Sequence, residues 1–288
     1  MDWLRANEPT CYSVLDKKRD DVLDFRVIKH FAHSSGKLYS NDRWAVTGES
    51  GVFLDPFYSP GTDFIALNNT FLSDLILRNL SGEDIQARVN IYERTHFALF
   101  ENWVPIYRNM YPLWGLTQTM VLKIFWDWAT YWSVPTLLFT NEGYTNILVL
   151  RDLFASEGSV GQRFGELNGK IQELFIGWAK YDDGVFTEKY IDPFDVGYLQ
   201  EFHRGIDERF DSKGLVEKVK QNLGVLEEIA CKIYLLMCNK IYGTPVDIRV
   251  DPYNLSLGSP PTDQPNKTVI SEQISREVQV MWYYPLKN

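Results

Sequence analysis

The amino-acid sequence predicts an α+β protein that is mostly helical. Three observations carry that expectation. Apolar residues recur at helical spacing over most of the chain beyond Thr62. Short runs that read as strands are confined to residues 22–47. A strand, turn and helix unit joins the two regions at residues 44–82. The chain has 288 residues, 45% of them hydrophobic and 15% aromatic, which is enough for a sizeable core. A net charge of −9 argues against nucleic acid or an anionic membrane as the main partner. Cys11, Cys231 and Cys238 are too few and too scattered for a disulfide framework or a zinc site.

In chain order, Met1 to Leu15 reads as a helix interrupted near Pro9, followed by the charge run Asp16 to Asp21. Val22 to His33, Leu38-Tyr39 and Trp44 to Thr47 read as strands of a small sheet, with Asn41-Asp42 as a turn. His30 and His33, three apart on a strand, would face opposite ways and share no metal. Phe64, Leu67, Phe71 and Leu75 mark a helix that Ser81-Gly82 stops. Ile85, Val89, Tyr92, His96, Leu99, Trp103 and Ile106 form a second stripe, kinked or ended by Pro105. His96 on that stripe reads as a core histidine rather than a catalyst. Leu113 to Phe139 is dense in aromatics, and Lys123, Asp127 and Pro135 interrupt it, so it is not a membrane span. Two readings stand for it: core packing, or the wall of an aromatic substrate pocket.

Asn146 to Phe154, Phe164 to Lys180 and Leu215 to Tyr242 read as further helices, and the stretch from Tyr181 to Tyr198 as loop. Residues 258–267 have the composition of a linker. The segment from Thr268, with Val278, Val280, Met281, Trp282, Tyr283 and Tyr284, is expected to dock on the body.

The unit at residues 44–82 has chemistry of its own. Gly48-Glu49-Ser50-Gly51 sets a carboxylate among glycines where the first strand ends, and Ser59-Pro60-Gly61 leads straight into a helix. A carboxylate there can accept hydrogen bonds from ligand hydroxyls. A helix N-terminus aims unpaired N–H groups and a positive dipole end at an electron-rich group. An ordinary strand–helix connection would also account for the spacing.

Gly48-Glu49-Ser50-Gly51-Val52-Phe53-Leu54-Asp55-Pro56-Phe57-Tyr58-Ser59-Pro60-Gly61 resembles the late FAD motif of flavin-dependent halogenases and related monooxygenases. That pattern runs Gly-Asp-Ala-Ala-x-Phe-x-Asp-Pro-x-x-Ser-x-Gly, from which Glu49, Ser50 and Gly51 depart. The resemblance implies that Gly48 and Glu49 meet the ribityl portion of FAD and that Asp55-Pro56 lies along the cofactor. It places Ser59, Pro60, Gly61 and Thr62 facing the isoalloxazine ring. In such enzymes reduced flavin and oxygen together hydroxylate an aromatic ring or oxidise halide. Halide is held there by N–H groups of the loop aligned with Pro60 and Gly61; Pro60 has none, which favours hydroxylation or another oxidation.

Other family features are absent. No Gly-x-Gly-x-x-Gly follows a strand, so no segment is suited to hold the FAD pyrophosphate. The Trp-x-Trp-x-Ile-Pro signature and an assignable catalytic lysine are missing too, and the catalytic residues stay unassigned. The motif begins at residue 48, whereas in the family it lies past the middle of the chain. The resemblance therefore implies the C-terminal part of an FAD-dependent oxidoreductase, inactive alone. Residues 1–80 would be the end of an FAD-binding α/β domain, and residues 81–288 a mainly helical substrate-side domain. Expected partners are an aromatic or carrier-bound small molecule, a missing N-terminal half and a flavin reductase, with no nucleic acid. A charged opening segment without signal-peptide character makes a cytoplasmic location the expectation. The competing class is a non-catalytic helical interaction protein that keeps the motif as a turn.

Overall fold

The computed structural model describes residues 1–184 and 192–283. They fall into two compact units, residues 1–33 and residues 34–288. The first holds α1 (Asp2–Asn7) and α2 (Pro9–Asp16), with Pro9 at the start of α2, where its missing N–H costs nothing. Residues 22–32 form no strand, which corrects the sequence expectation. Their apolar side chains, Leu23, Phe25, Val27 and Ile28 among them, are exposed. Loose alternation without a neighbouring strand to share backbone hydrogen bonds does not make a sheet.

The second unit is helical with one small sheet. Strand β1 (His33–Ser34) pairs with β2 (Val52–Phe53). The run Trp44–Thr47 is not the buried strand its apolarity predicts. It makes a single bridge, Ala45 to Tyr39, and Trp44 is exposed. Glu49 accordingly sits in a 3-10 turn, Gly48–Ser50, rather than at a strand end.

Helices α3 (Pro60–Leu80) and α4 (Gln86–Tyr107) hold this irregular segment from behind. The Glu93 carboxylate of α4 accepts from the N–H of Leu38 at 2.7 Å and of Tyr39 at 3.3 Å. Asn68 of α3 donates to the Val46 carbonyl at 3.0 Å. At the turn between the two helices, Arg78 clasps Asp74 through Nε, and Tyr92 donates to the same carboxylate at 2.6 Å. Phe71 stacks on Tyr92 with ring centroids 4.4 Å apart, closing the pair.

Beyond α4 come α5 (Thr117–Tyr131) and α6 (Leu137–Thr140), joined by a π-helical turn at Trp132–Thr136. Pro135 lies in that turn; a proline removes one N–H from the ladder, and the wider turn absorbs the change. Asn146 caps α7 (Ile147–Phe154) and Ser159 caps α8 (Val160–Trp178) through side-chain oxygens. Residues 185–191, part of the expected loop, lie outside the described residues, as does Tyr284. Helix α9 (Gly197–Gly205) starts at the end of that stretch, in a region the sequence reading leaves unassigned, and buries Tyr198, Leu199 and Phe202.

The longest helix, α10 (Ser212–Tyr242), runs through the core. It opens on Asp211, whose carboxylate accepts from Gly214 N–H at 2.7 Å, and ends at Gly243 with φ of 69°. It packs on α7, α8 and α11 (Glu272–Tyr283). Helix α11 docks through Ile274, Val278, Met281 and Trp282, whereas Val280, counted with the docking residues from the sequence, is exposed. Cys231 and Cys238 are buried core residues of α10. Residues 258–267 carry no regular structure, and Gln264 N–H donates to the Arg249 carbonyl at 2.9 Å. No helix among the described residues is long and apolar enough to cross a membrane.

His96 is a core residue, 1% exposed, with Nδ1 3.2 Å from the Tyr39 hydroxyl and Phe64 beside its ring. Burial lowers its pKa to about 4. The folded state therefore binds fewer protons than the unfolded chain between about pH 4 and 6.5, and stability falls as pH drops through that window. Urea titrations of wild type and His96→Phe at pH 7.5 and pH 5 should show the wild type losing about 2 kcal/mol more than the variant. Equal losses would contradict the buried, neutral imidazole.

Candidate functional site

The loop from Gly48 to Thr62 and the aromatic stretch on α5 meet around one cavity. It has a volume of about 200 Å³ and is walled by Trp103, Tyr107, Trp128, Tyr131 and Trp132, with Tyr58 at the loop side. Asp63 and Asp127 line it as well, and among the described residues no Lys, Arg or His does. A wider hollow of about 660 Å³ beside α3 has Arg43 as its one charged lining residue, so convergent acids single out the smaller cavity. Of the aromatic residues in 113–139, Phe125 and Trp126 belong to the core, whereas Trp128, Tyr131 and Trp132 line this cavity.

Asp127 belongs to a buried network. Lys123 Nζ lies 2.9 Å from Asp127 Oδ2 and donates to Gln172 Oε1 at 2.7 Å. Gln172 Nε2 donates to Asp127 Oδ1 at 2.7 Å, and the Tyr58 hydroxyl donates to Oδ2 at 3.2 Å. Lys123 and Asp127 stand at i and i+4 on α5, which puts them on one helix face. Burial pushes the Asp127 carboxyl up, and the Lys123 ammonium pulls it back down. The same burial, aided by Asp127, raises the Tyr58 phenol, so Tyr58 stays a donor. Trp126 donates to Asn168 at 3.0 Å and Asn168 to the Asn102 carbonyl at 3.1 Å, tying α5, α8 and α4 together.

Asp63, on the first turn of α3, accepts from the Tyr131 hydroxyl at 2.8 Å. Burial raises its pKa, and that hydrogen bond partly offsets the rise. Tyr131 in turn is pushed up to about 12 by burial and by Asp63.

The residues singled out in the motif are placed as follows. Glu49 and Gly61 are brought together: a Cβ at Gly61 would displace the Glu49 carboxylate from where it lies. Gly48 has φ of 62°, a left-handed value that suits glycine. Asp55 accepts from Phe57 N–H at 2.9 Å and from the Tyr111 hydroxyl at 2.7 Å, a loop-closing role. Pro56, Ser59 and Thr62 are exposed, Pro60 opens α3, and Thr62 N–H donates to the Ser59 carbonyl at 3.0 Å. Asp63 and the aromatic wall from α4 were not singled out by motif. The signal available in the sequence was the pair of charges, Lys123 and Asp127, inside an apolar run.

FAD as a whole does not fit these residues. The Glu49 carboxylate lies against the first turn of α3, in line with an acceptor of one hydroxyl. No described strand leads into a Gly-x-Gly-x-x-Gly turn for a pyrophosphate. The cavity is smaller than the roughly 300–1,000 Å³ of pockets that enclose whole drug-sized ligands, and at about 200 Å³ it suits one ring or head group.

The fold is mainly helical, and its aromatic cavity is bordered by the loop at Gly48–Thr62. No family model and no solved structure matches the chain. The chain is similar to the flavin-dependent halogenase chlA of Dictyostelium discoideum, at 25% identity over 217 residues. The match covers 66% of this chain and 35% of that protein, so the chain spans about a third of the relative's length. It supports a distant relationship to that flavin-dependent enzyme.

The buried pair is open to direct test. Lys123→Met leaves Asp127 without its counter-charge and should destabilise the fold by about 3–5 kcal/mol in urea titrations. Lys123→Met combined with Asp127→Leu should recover most of that loss, since a well-packed apolar pair replaces a buried ion pair with little cost. A double variant as unstable as the single one would show that the loss comes from packing and not from charge.

Proposed function

We propose that this chain supplies the substrate side of an FAD-dependent oxidoreductase of the monooxygenase and halogenase type. The observation that carries the reading is the position of Tyr58 and Asp63. Both line the aromatic cavity, and they bracket the loop whose sequence resembles the flavin-facing loop of those enzymes. The distant likeness to a flavin-dependent halogenase supports it. The flavin, bound mainly by a dinucleotide-binding segment outside these residues, would supply an oxidant made from oxygen. This chain's residues would bind the substrate group, exclude water from it and orient it beside the loop. Glu49 would add a hydroxyl acceptor for the cofactor, and Tyr58, whose one O–H is given to Asp127, an acceptor oxygen at the cavity wall. Oxygenation is favoured over halogenation, because Pro60 has no N–H and that of Thr62 is turned to Ser59.

Residues 1–288 alone should bind FAD no tighter than about 0.1 mM by fluorescence titration, since a few charged hydrogen bonds must offset the ordering of a large ligand. Joined to a segment with the Gly-x-Gly-x-x-Gly strand–helix unit, the chain should retain flavin absorbance through purification. In that protein Glu49→Ala should weaken FAD binding about 10-fold. A joined protein that stays colourless, or an affinity indifferent to Glu49, would contradict the reading.

A further inference from the structure

We propose that the cavity is an aromatic cage for an organic ammonium group, a methylated or primary amine carried on a larger molecule and held against Asp63. Its rings come from Tyr58, Trp103, Tyr107, Trp128, Tyr131 and Trp132. Aromatic faces carry negative quadrupole charge, and a desolvated cation enclosed by several of them is attracted to each. Trp103 and Tyr131 meet edge to face with centroids 6.1 Å apart, and Trp128 and Trp132 lie 5.8 Å apart at a tilt, so the walls are fixed by contacts among themselves.

The charges select the ligand's sign. Asp127 is balanced by Lys123 within its own network. Asp63 forms no ion pair among the described residues, and its partner is the neutral Tyr131 hydroxyl. The cavity therefore carries one carboxylate in excess and no cation among the described lining residues. An anion entering it would be repelled by Asp63. A neutral ring would stack on the walls and leave Asp63 desolvated against carbon, a costly arrangement for an acid. A cation satisfies walls and carboxylate together. Tyr107 reports the same field: burial raises its phenol most, and Asp127, Asp55 and Asp63 raise it further. At about 200 Å³ the space suits a head group with its stem leading outward. The cage would then receive the amine end of the substrate proposed above, an assignment that rests on that reading; cation binding itself needs no flavin.

The discriminating probes are choline and 3,3-dimethylbutan-1-ol, which share a shape and differ in charge. Saturation-transfer NMR on their methyl singlets, with the 288-residue protein, should show choline binding about 10-fold tighter than the neutral probe. Asp63→Asn, which keeps the side chain's shape, should lower choline affinity about 10-fold and leave the neutral probe unchanged. Thermal melts would establish that the variant folds. Should Asp63→Asn not fold, Trp132→Leu serves instead and should lower choline affinity several-fold more than that of the alcohol. Equal binding of the two probes, binding of neither, or choline binding indifferent to the variant that folds would overturn the cage. Choline preference in a protein that never retains flavin when joined to its dinucleotide-binding unit would leave the cage standing and reject the flavin assignment; the reverse pattern would do the opposite.

Discussion

The carboxylate of Asp127 is the point on which the functional half of the structure depends. It is buried on α5, where an unpaired acid would be intolerable, and it binds Lys123 from its own helix, Gln172 from α8 and Tyr58 from the motif loop. Removing two charges from water costs several kcal/mol per ion, and only a fully satisfied geometry offsets that. Here the three donors take both carboxylate oxygens, so a polar knot forms within an otherwise aromatic wall. An apolar knot would pack as well. What the ionic one adds is direction: Tyr58 reaches α5 through a hydrogen bond rather than by shape alone.

That direction is what joins a loop with little regular structure to a helical body. Residues 33–58 hold two two-residue strands, a bridge and the short 3-10 turn Gly48–Ser50, so their backbone leans on side chains from elsewhere. Glu93 caps the Leu38 and Tyr39 amides, Asn68 holds the Val46 carbonyl, and Tyr111 holds Asp55. Each contact comes from α3, α4 or the turn after α4 and spans at least twenty residues of sequence. The motif keeps its shape because the helices impose it.

Periodicity made the helices legible, since α3, α4, α8 and α10 each bury a stripe that the sequence displays. The strands were not legible in the same way. An apolar run such as Trp44–Thr47 tells nothing about whether a neighbouring strand exists to pair with it, and here only Ala45 finds one. Helix α9 shows only a nine-residue stripe, with glycine as its first and last residue, which is too short for periodicity to stand out. The candidate site was legible in part. The motif drew attention to Glu49, Asp55 and the Pro60 turn, and Glu49 with Gly61 are in contact. The cavity residues come from α3, α4, α5 and α8, and no local pattern announces that Trp103, Tyr131 and Asp63 converge. The aromatic density of residues 113–139 pointed there, as one of two readings of that stretch.

The coupling between loop and helix is the claim on which this account stands, and a double-mutant cycle between Tyr58→Phe and Asp127→Asn measures it most directly. Stabilities of the wild type, both single variants and the double variant are compared in urea. A charge-assisted hydrogen bond between loop and α5 predicts a coupling energy above about 1 kcal/mol. Additivity within about 0.5 kcal/mol would show that the loop and the aromatic wall are merely neighbours, and would contradict a single shared site.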